Sequence, residues 1–573
     1  MGLVFLLLVW RSFYGINYMD ESFYMSLAHR LYTGDKLVVD EWHPTQFYSF
    51  ILLPFYALFR FFSKDAQGVV LFFRVLNLIF AFITSVFVMR RIEEEGEAGS
   101  FSAVSAALPL FLYAKSNNLG PGYYNLCIYF ITLAILALTG KGGRGGKAQA
   151  DKTGFRLLGA GVLTAMGVIC MPFMAVPVIL YCLFGLSKGR RILYYMGGLI
   201  LSALVYIPVC FPLGRLPEVM ANFPCIFLDP EHKQGFFKYL ENTWRSYKLF
   251  FVNEYILYAL LAITLLMIIL GLAGKLPGYG FRTALFIVCM GAAVFHSIYK
   301  LHRYPGLASI AFTMWMMPVM VINIFEKRFS RLCTYLSVGG AALALCFAGG
   351  SDTGFSSLTT GYTIWVIAAV INADVFVRQL CHKEAFHKEN AMVSSKELKA
   401  FFVLAMTLIL LVMMAQRIFM VFRDSDLENL TAKITRGPMA GLYTTEQHKE
   451  SYDKVCEFLH QLPEKEGGSR VFFSRMLPWG YLCVPYGFGA PTAWRTQIDS
   501  PLLESYYLLH PDSIPDVVVV MKPQVGAFDR NEFSRIDASQ TPNKNNLDGW
   551  FYDYMLQEGY VSREYEVATV WRR

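Results

Sequence analysis

Charged side chains are scarce in this sequence. Asp, Glu, Lys and Arg make up 16% of its 573 residues, where soluble domains carry about 25%. Apolar types reach 55% and the mean hydropathy is +0.40, which excludes a string of soluble domains. No internal repeat is evident, and the 11 cysteines include no Cys-x-x-Cys pair. Most of them (Cys127, Cys170, Cys182, Cys210, Cys289, Cys346) lie inside apolar runs, where Cys behaves as a small hydrophobe. Cys456 and Cys483 fall in the polar tail and can pair if that tail faces an oxidising space. The amino terminus lacks the basic start and small-residue cleavage site of a signal peptide, so Gly2 to Trp10 reads as a short first span. What is abundant is aromatic: 48 Phe and 33 Tyr exclude a disordered chain.

The net charge of +8 does not indicate nucleic-acid binding, because of its distribution. From Phe422 onward there are 16 Lys+Arg and 21 Asp+Glu, a net −5, so the preceding part carries +13. That excess sits between hydrophobic runs, as the positive-inside rule expects.

A helical span needs about 20 apolar residues. Beyond the first run, others centre on Val69–Met89, Phe101–Ala114, Tyr124–Leu138, Leu157–Met171, Phe173–Leu186, Tyr194–Phe211, Tyr255–Ala273, Phe281–Tyr299, Gly306–Phe325, Cys333–Ala348, Tyr362–Val377 and Phe401–Phe422. The expected fold is thus an α-helical polytopic membrane protein of about 13 spans. The basic loops at Arg90-Arg91, Lys141–Lys147, Lys188–Arg191, Glu326–Arg328 and Arg378–Lys399 then share one side, the cytosol, and the acidic tail lies outside. The run Phe47–Phe62 holds Pro54, and counting it as a span would invert that order. It is placed along the outer interface. The Gly-rich stretch Lys141–Lys147 lacks the Gly-Lys-Ser/Thr ending of a phosphate loop and reads as a linker.

After Phe422 the pattern changes. Ser451–Leu462 has helical spacing, Arg470–Phe473 and Val517–Met521 read as buried strands, and Tyr565–Trp571 alternates. Residues 1–422 are therefore expected to form a membrane domain and 423–573 an extracytoplasmic α/β domain.

The chemistry concentrates in the loop after the first run. Asp20-Glu21 opens a stretch with helical spacing, in which Phe23, Leu27 and Leu31 form one stripe and Ser22, Ser26, His29 and Arg30 the other. This predicts an interfacial amphipathic helix. A plain capping role for Asp20 and a dipole role for Glu21 account for the first pair. They do not account for the second pair, Asp40-Glu41, followed by Trp42-His43-Pro44, nor for so acidic a cluster beside lipid.

The short first span, Asp20-Glu21, the aromatic-rich helix, Gly34, and Asp40-x-Trp42-His43-Pro44 with an interfacial helix behind it resemble the GT-C superfamily of membrane glycosyltransferases. Within it the nearest look is to bacterial relatives of protein O-mannosyltransferases and aminoarabinose transferase. The motif resemblance covers about residues 1–95, and His43 departs from the pattern in having no second Pro after Pro44. The resemblance implies an inverting glycosyltransferase. It would take a sugar from a polyprenyl-phosphate carrier and pass it to a hydroxyl acceptor (glycan, lipid or protein) at the outer face of a bacterial plasma membrane.

A hydroxyl acceptor needs a base within about 3 Å, and a phosphate leaving group needs cations. By resemblance and position Asp20 is the expected base, Glu21 the second choice, and Asp40 orients a substrate or helps hold a metal. Arg74 lies early in the second span, and ionisable groups in spans are costly. Lys300, His302 and Arg303 crowd a loop assigned to the outside. These four are the expected donor-phosphate ligands, though headgroup anchoring explains them as well. Glu41, His43, Lys115 and Tyr124 are further cavity candidates. No metal site is assigned. Asp20, Glu21, Asp40, Glu41 and His43 do supply ligands suited to a divalent ion such as Mg²⁺ or Mn²⁺. The long loop Pro217–Glu254 and the loop Gly349–Tyr362 are expected outer covers. A transporter or flippase is the alternative, and a catalytically inactive scaffold the third. Transporters place ionisable groups near mid-bilayer within repeats, whereas this cluster is interfacial.

Overall fold

The structure is a computed structural model. It describes residues 1–573 except 64, 97, 141–146, 182–185, 187–188, 229–235, 253–255, 300–305, 351–354, 385–392, 463–468, 475–476, 495–500 and 523–548. The Gly-rich stretch, Lys300, His302 and Arg303, and most of the first half of the Gly349–Tyr362 loop fall outside the described residues.

The described chain is mostly helical. A short apolar helix α1 (Gly2–Arg11) precedes α2 (Asp20–Tyr32) and α3 (Ser49–Phe62). Then come α4 (Val69–Glu95), α5 (Ser100–Leu112), α6 (Tyr123–Thr139), α7 (Lys147–Cys170), α8 (Ala175–Leu180) and α9 (Gly189–Cys210). They are followed by α10 (Leu216–Asn222), α11 (Phe236–Val252), α12 (Ile256–Leu272), α13 (Tyr279–Tyr299), α14 (Leu307–Phe325), α15 (Arg331–Gly349), α16 (Phe355–Glu384) and α17 (Ser395–Phe419). Eight of these, α4, α7, α9 and α13 to α17, are long and apolar enough to cross a bilayer. Five shorter apolar helices, among them α1, α5 and α6, accompany them. Of the runs read from the sequence, only Phe173–Leu186 lacks a helix of its own length, its described part holding the six residues of α8.

Two expected loops are helical instead. The stretch 217–254 contains α10, a 3-10 segment (Phe223–Leu228) and α11. Here α11 packs on α15, with the Tyr239 hydroxyl donating to Leu345 O at 2.9 Å. The later part of 349–362 is the first two turns of α16.

Beyond α17, strands β1 (Ala432–Lys433) and β2 (Tyr443–Thr444) pair, and α18 (Glu446–His460) follows with Thr445 as its N-cap. A mixed sheet then forms from β3 (Arg470–Ser474), β4 (Gly487–Phe488), β5 (Val517–Met521), β6 (Val561–Glu564) and β7 (Ala568–Arg572), in the order β4-β3-β5-β7-β6. The β4-β3-β5 half is parallel and the β5-β7-β6 half antiparallel. Helices α19 (Pro501–Leu509) and α20 (Gly549–Gln557) complete it. The all-valine run of β5 is buried throughout, as expected of a central strand. The thiols of Cys456 and Cys483 hydrogen-bond to each other, and neither forms a disulfide.

This sheet domain is stitched to the first loop. The Tyr443 N–H donates to Phe13 O at 2.7 Å and the Gly15 N–H to Tyr443 O at 2.9 Å. Helix α2 is accordingly not an interfacial helix with one wet face. Glu21 through Leu31 are all buried. Two residues of its polar stripe are satisfied by the C-terminal domain in place of water: Ser26 Oγ donates to Pro478 O at 2.6 Å, and Arg30 Nη2 to Ala490 O at 2.9 Å.

Candidate active site

The first turn of α2 is built by its neighbours. Asn17 Oδ1 accepts the N–H groups of Met19 (2.9 Å) and Asp20 (3.2 Å). Asn17 thus does the capping once expected of Asp20, and the Asp20 carboxylate is left for other contacts. Asp20 faces a cavity of about 570 Å³, within the usual range for ligand sites of roughly 300–1,000 Å³.

Asp20, His43, Lys115, Tyr123, Tyr124, Arg423 and Trp494 supply the polar and aromatic lining of this cavity. The rest is a largely apolar wall that includes Val168 to Phe173, Tyr206, Phe211, Phe223, Phe227 and Phe347. Arg423 Nη1 lies 3.2 Å from Asp20 Oδ2, an ion contact that leaves this oxygen without a hydrogen bond of proper geometry. The Lys115 ammonium sits 3.5 Å above the Tyr124 ring, a cation–π distance. Phe23 packs between the His43 ring at 4.6 Å and the Trp494 ring at 5.0 Å. The Thr45 N–H reaches His43 Nδ1 at 3.2 Å. A backbone N–H can only donate, so Nδ1 is the acceptor and a neutral His43 carries its proton on Nε2.

Close backbone approach shapes the cavity floor. A β-carbon on Gly122 would come within 2.6 Å of the Tyr24 ring, which lines the cavity. Glycine at this position lets α6 begin against α2.

The other acidic residues stand elsewhere. Glu21 is buried against Arg74, whose Nη2 is 2.5 Å and Nε 3.1 Å from its carboxylate, and it also accepts the Leu119 N–H at 3.1 Å. Arg74 donates besides to the carbonyls of Ser12, Tyr14 and Gly15. Neither residue lines the cavity, so Arg74 ties α4 to the first loop and its guanidinium is fully occupied without a phosphate. Glu41 is buried on Arg30 Nη1 at 3.0 Å and accepts the His43 N–H at 3.0 Å, orienting that residue toward the cavity. Burial raises the Glu41 carboxyl above its ordinary range, with Arg30 pulling it back. For Arg30 burial opposes the charge, and Asp35 and Glu41 overcome it and hold the guanidinium protonated. Asp40 Oδ2 accepts the Lys36 N–H at 2.6 Å and closes a turn away from the cavity.

Of the sequence-derived candidates, Asp20, His43, Lys115 and Tyr124 therefore come together, whereas Glu21, Asp40, Glu41 and Arg74 do not. The five oxygen and nitrogen ligands considered for a divalent ion are separated by these pairings. Among the described residues no group of three or more His, Cys, Asp or Glu side chains could hold a metal. Sequence reasoning missed Arg423 and Trp494. The one available signal for Arg423 was an arginine directly after the last apolar run.

No protein-family model matches the sequence, and no curated protein matches it significantly. Solved structures with a similar fold are found. In particular, ArnT from Cupriavidus metallidurans in the apo state is similar over 100% of this chain and 96% of its own, at 12% identity and a TM-score of 0.50. The oligosaccharyltransferase AglB from Archaeoglobus fulgidus, in complex with an inhibitory peptide and a dolichol-phosphate, is similar over 90% of this chain and 69% of its own. Its identity is 13% and its TM-score 0.46. At such identities the likeness is one of fold.

Proposed function

We propose that the protein is an inverting glycosyltransferase that moves a hexosyl or pentosyl unit from a polyprenyl-phosphate carrier to a hydroxyl acceptor. The observation that carries this reading is the makeup of one cavity. A single carboxylate, Asp20, stands beside Arg423, with Lys115 in the same lining and a long apolar wall continuing from them. An apolar wall suits a prenyl chain, and paired cations suit its phosphate.

In the proposed step the acceptor oxygen attacks the anomeric carbon as its O–H proton passes to Asp20. The bond from that carbon to the phosphate oxygen breaks, and the polyprenyl phosphate leaves with the electron pair. Arg423 grips the standing charge of the donor phosphate, and Lys115 stabilises the charge that grows as the bond breaks. Arg423 turns from Asp20 toward the donor phosphate when the donor enters, which frees the carboxylate for the acceptor. His43 and Tyr124 shape the sugar and acceptor side. Residues 1–422 form the membrane catalytic domain and 423–573 an extracytoplasmic domain of a bacterial plasma-membrane protein, with the cavity opening to the outer face. The basic loops gathered on one side support that orientation.

The test is transfer from a radiolabelled polyprenyl-phosphate sugar by purified protein, with Asp20→Asn as control. Transfer by the native protein and none by the variant is the expected result. Undiminished transfer by Asp20→Asn removes the base.

A further inference from the structure

Arg423 reaches the cavity through an unusual turn. Its φ is +59°, a left-handed conformation that residues with a β-carbon seldom adopt. The flanking chain is pinned on the membrane side. Arg11 donates to Ile418 O (2.7 Å) and Met420 O (3.0 Å), and Arg417 Nη1 donates to Asn117 Oδ1 at 2.6 Å.

The next residue, Asp424, pins it on the other side. Its side chain is wholly out of solvent and does not line the cavity. It nevertheless accepts four hydrogen bonds. Oδ2 receives the Ile16 N–H and the Thr444 hydroxyl, each at 2.8 Å. Oδ1 receives the Ser425 N–H at 2.8 Å and lies 2.7 Å from His448 Nδ1. Ile16 belongs to the loop that leads into Asp20, whereas Thr444 and His448 belong to β2 and α18 of the C-terminal domain. His448 is itself seated, its N–H on Thr445 Oγ1 at 3.2 Å and its carbonyl accepting the Tyr18 hydroxyl at 3.2 Å. A buried carboxylate left with unmet acceptors would be costly, so this arrangement holds as a unit.

We propose that Asp424, clamped by His448 and Thr444, is a positioning residue that fixes Arg423 beside Asp20, so that the C-terminal domain sets the affinity of the cavity for an anionic lipid-phosphate headgroup. This rests on the reading of Arg423 as a donor-phosphate ligand. When the clamp is loosened, Arg423 relaxes out of its left-handed turn and its guanidinium leaves the cavity lining. The phosphate is charged both in the bound donor and in the transition state, so the loss falls mainly on binding.

The experiment uses the full chain in lipid nanodiscs and two readouts. One is equilibrium binding of a fluorescent polyprenyl phosphate, which needs no turnover, and the other is the KM and kcat of transfer. His448→Ala is expected to weaken probe binding and raise the donor KM by about tenfold, with kcat changed less than about threefold. His448→Asn, whose amide N–H replaces the Nδ1 donor, is expected to restore both to within about threefold of the native values. Lys449→Ala, on the next residue of α18, is the surface control and stays native-like. Where His448→Ala does not fold, Thr444→Val is measured in its place and carries the same expectation.

Native-like probe binding by the folded clamp variant overturns the proposal. So does a His448→Asn protein as weak as His448→Ala, which would mark a packing defect. Arg423→Ala separates the two layers. Native-like binding by that variant sinks the donor-phosphate reading itself, whereas its weakening alongside an unaffected clamp variant sinks only the positioning role.

Discussion

The loop after α1 carries two Asp-Glu pairs, Asp20-Glu21 and Asp40-Glu41, and their fates differ by one residue in each. Both glutamates are buried on an arginine, Glu21 on Arg74 and Glu41 on Arg30. Both aspartates stay partly exposed. Yet Asp20 faces the cavity, whereas the Asp40 carboxylate closes a turn on the Lys36 N–H. The difference lies in what caps the adjacent backbone. Asn17 relieves Asp20 of that duty, and among the described residues nothing comparable relieves Asp40. In this loop the aspartate that turns toward the cavity is the one whose neighbouring backbone is already capped.

The sharpest way to break the comparison is to neutralise each aspartate. Asp20→Asn is expected to lower kcat by about 100- to 10,000-fold, the range for a lost general base. Asp40→Asn keeps an acceptor for Lys36 and is expected to cost less than about threefold in kcat/KM, near the level of an ordinary turn substitution. Radiolabelled transfer measures both, and equal losses would erase the distinction between the pairs.

The next contrast concerns the anchors. Glu21→Gln leaves the buried Arg74 guanidinium without its counter-charge, which is expected to destabilise the protein by about 3 kcal/mol. Differential scanning fluorimetry in detergent reads this as a lowered Tm. A Tm within one degree of native would mean that the three carbonyls on Arg74 suffice without Glu21.

How much of this was legible in the chain follows the range of each interaction. The apolar helices were legible because burying an apolar run of given length is a local property, and α4 and α17 lie where their hydropathy put them, though eight of the about 13 expected spans are long and apolar enough to cross a bilayer among the described residues. The cavity was legible in part. Asp20, His43 and Lys115 stand out by type and by position next to apolar runs. The role of Arg74 was not legible, since its partner Glu21 is 53 residues away and an arginine in a span suggests a ligand as readily as an anchor. Nor was Arg423, whose direction depends on a left-handed turn held by a domain that follows it. The polar face of α2 looked wet because nothing in residues 20–32 announces that Pro478 and Ala490 will cover it.

The smallest expected effect separates the two anchors from each other. Arg30 keeps Asp35 at 2.7 Å if Glu41 loses its charge, whereas the groups besides Glu21 to which Arg74 donates are backbone carbonyls. Burial, opposed by Arg30, holds the Glu41 carboxyl above its ordinary value of 4.5 in the folded protein. A raised folded value means that the native state binds the proton more tightly than the unfolded chain does. The stabilising share of this group is then fully present below pH 4.5 and is lost as the pH rises through the folded value. Glu41→Gln imitates the protonated form and keeps the hydrogen-bonding shape, so its cost at neutral pH is expected to stay below about 1 kcal/mol. It should also flatten this group's share of the Tm-against-pH curve above pH 4.5. Subtracting the Gln curve from the native one isolates the group. A difference that grows in favour of the native protein as the pH falls toward 4.5 carries the expected sign, and the reverse slope would show that pairing with Arg30 outweighs burial.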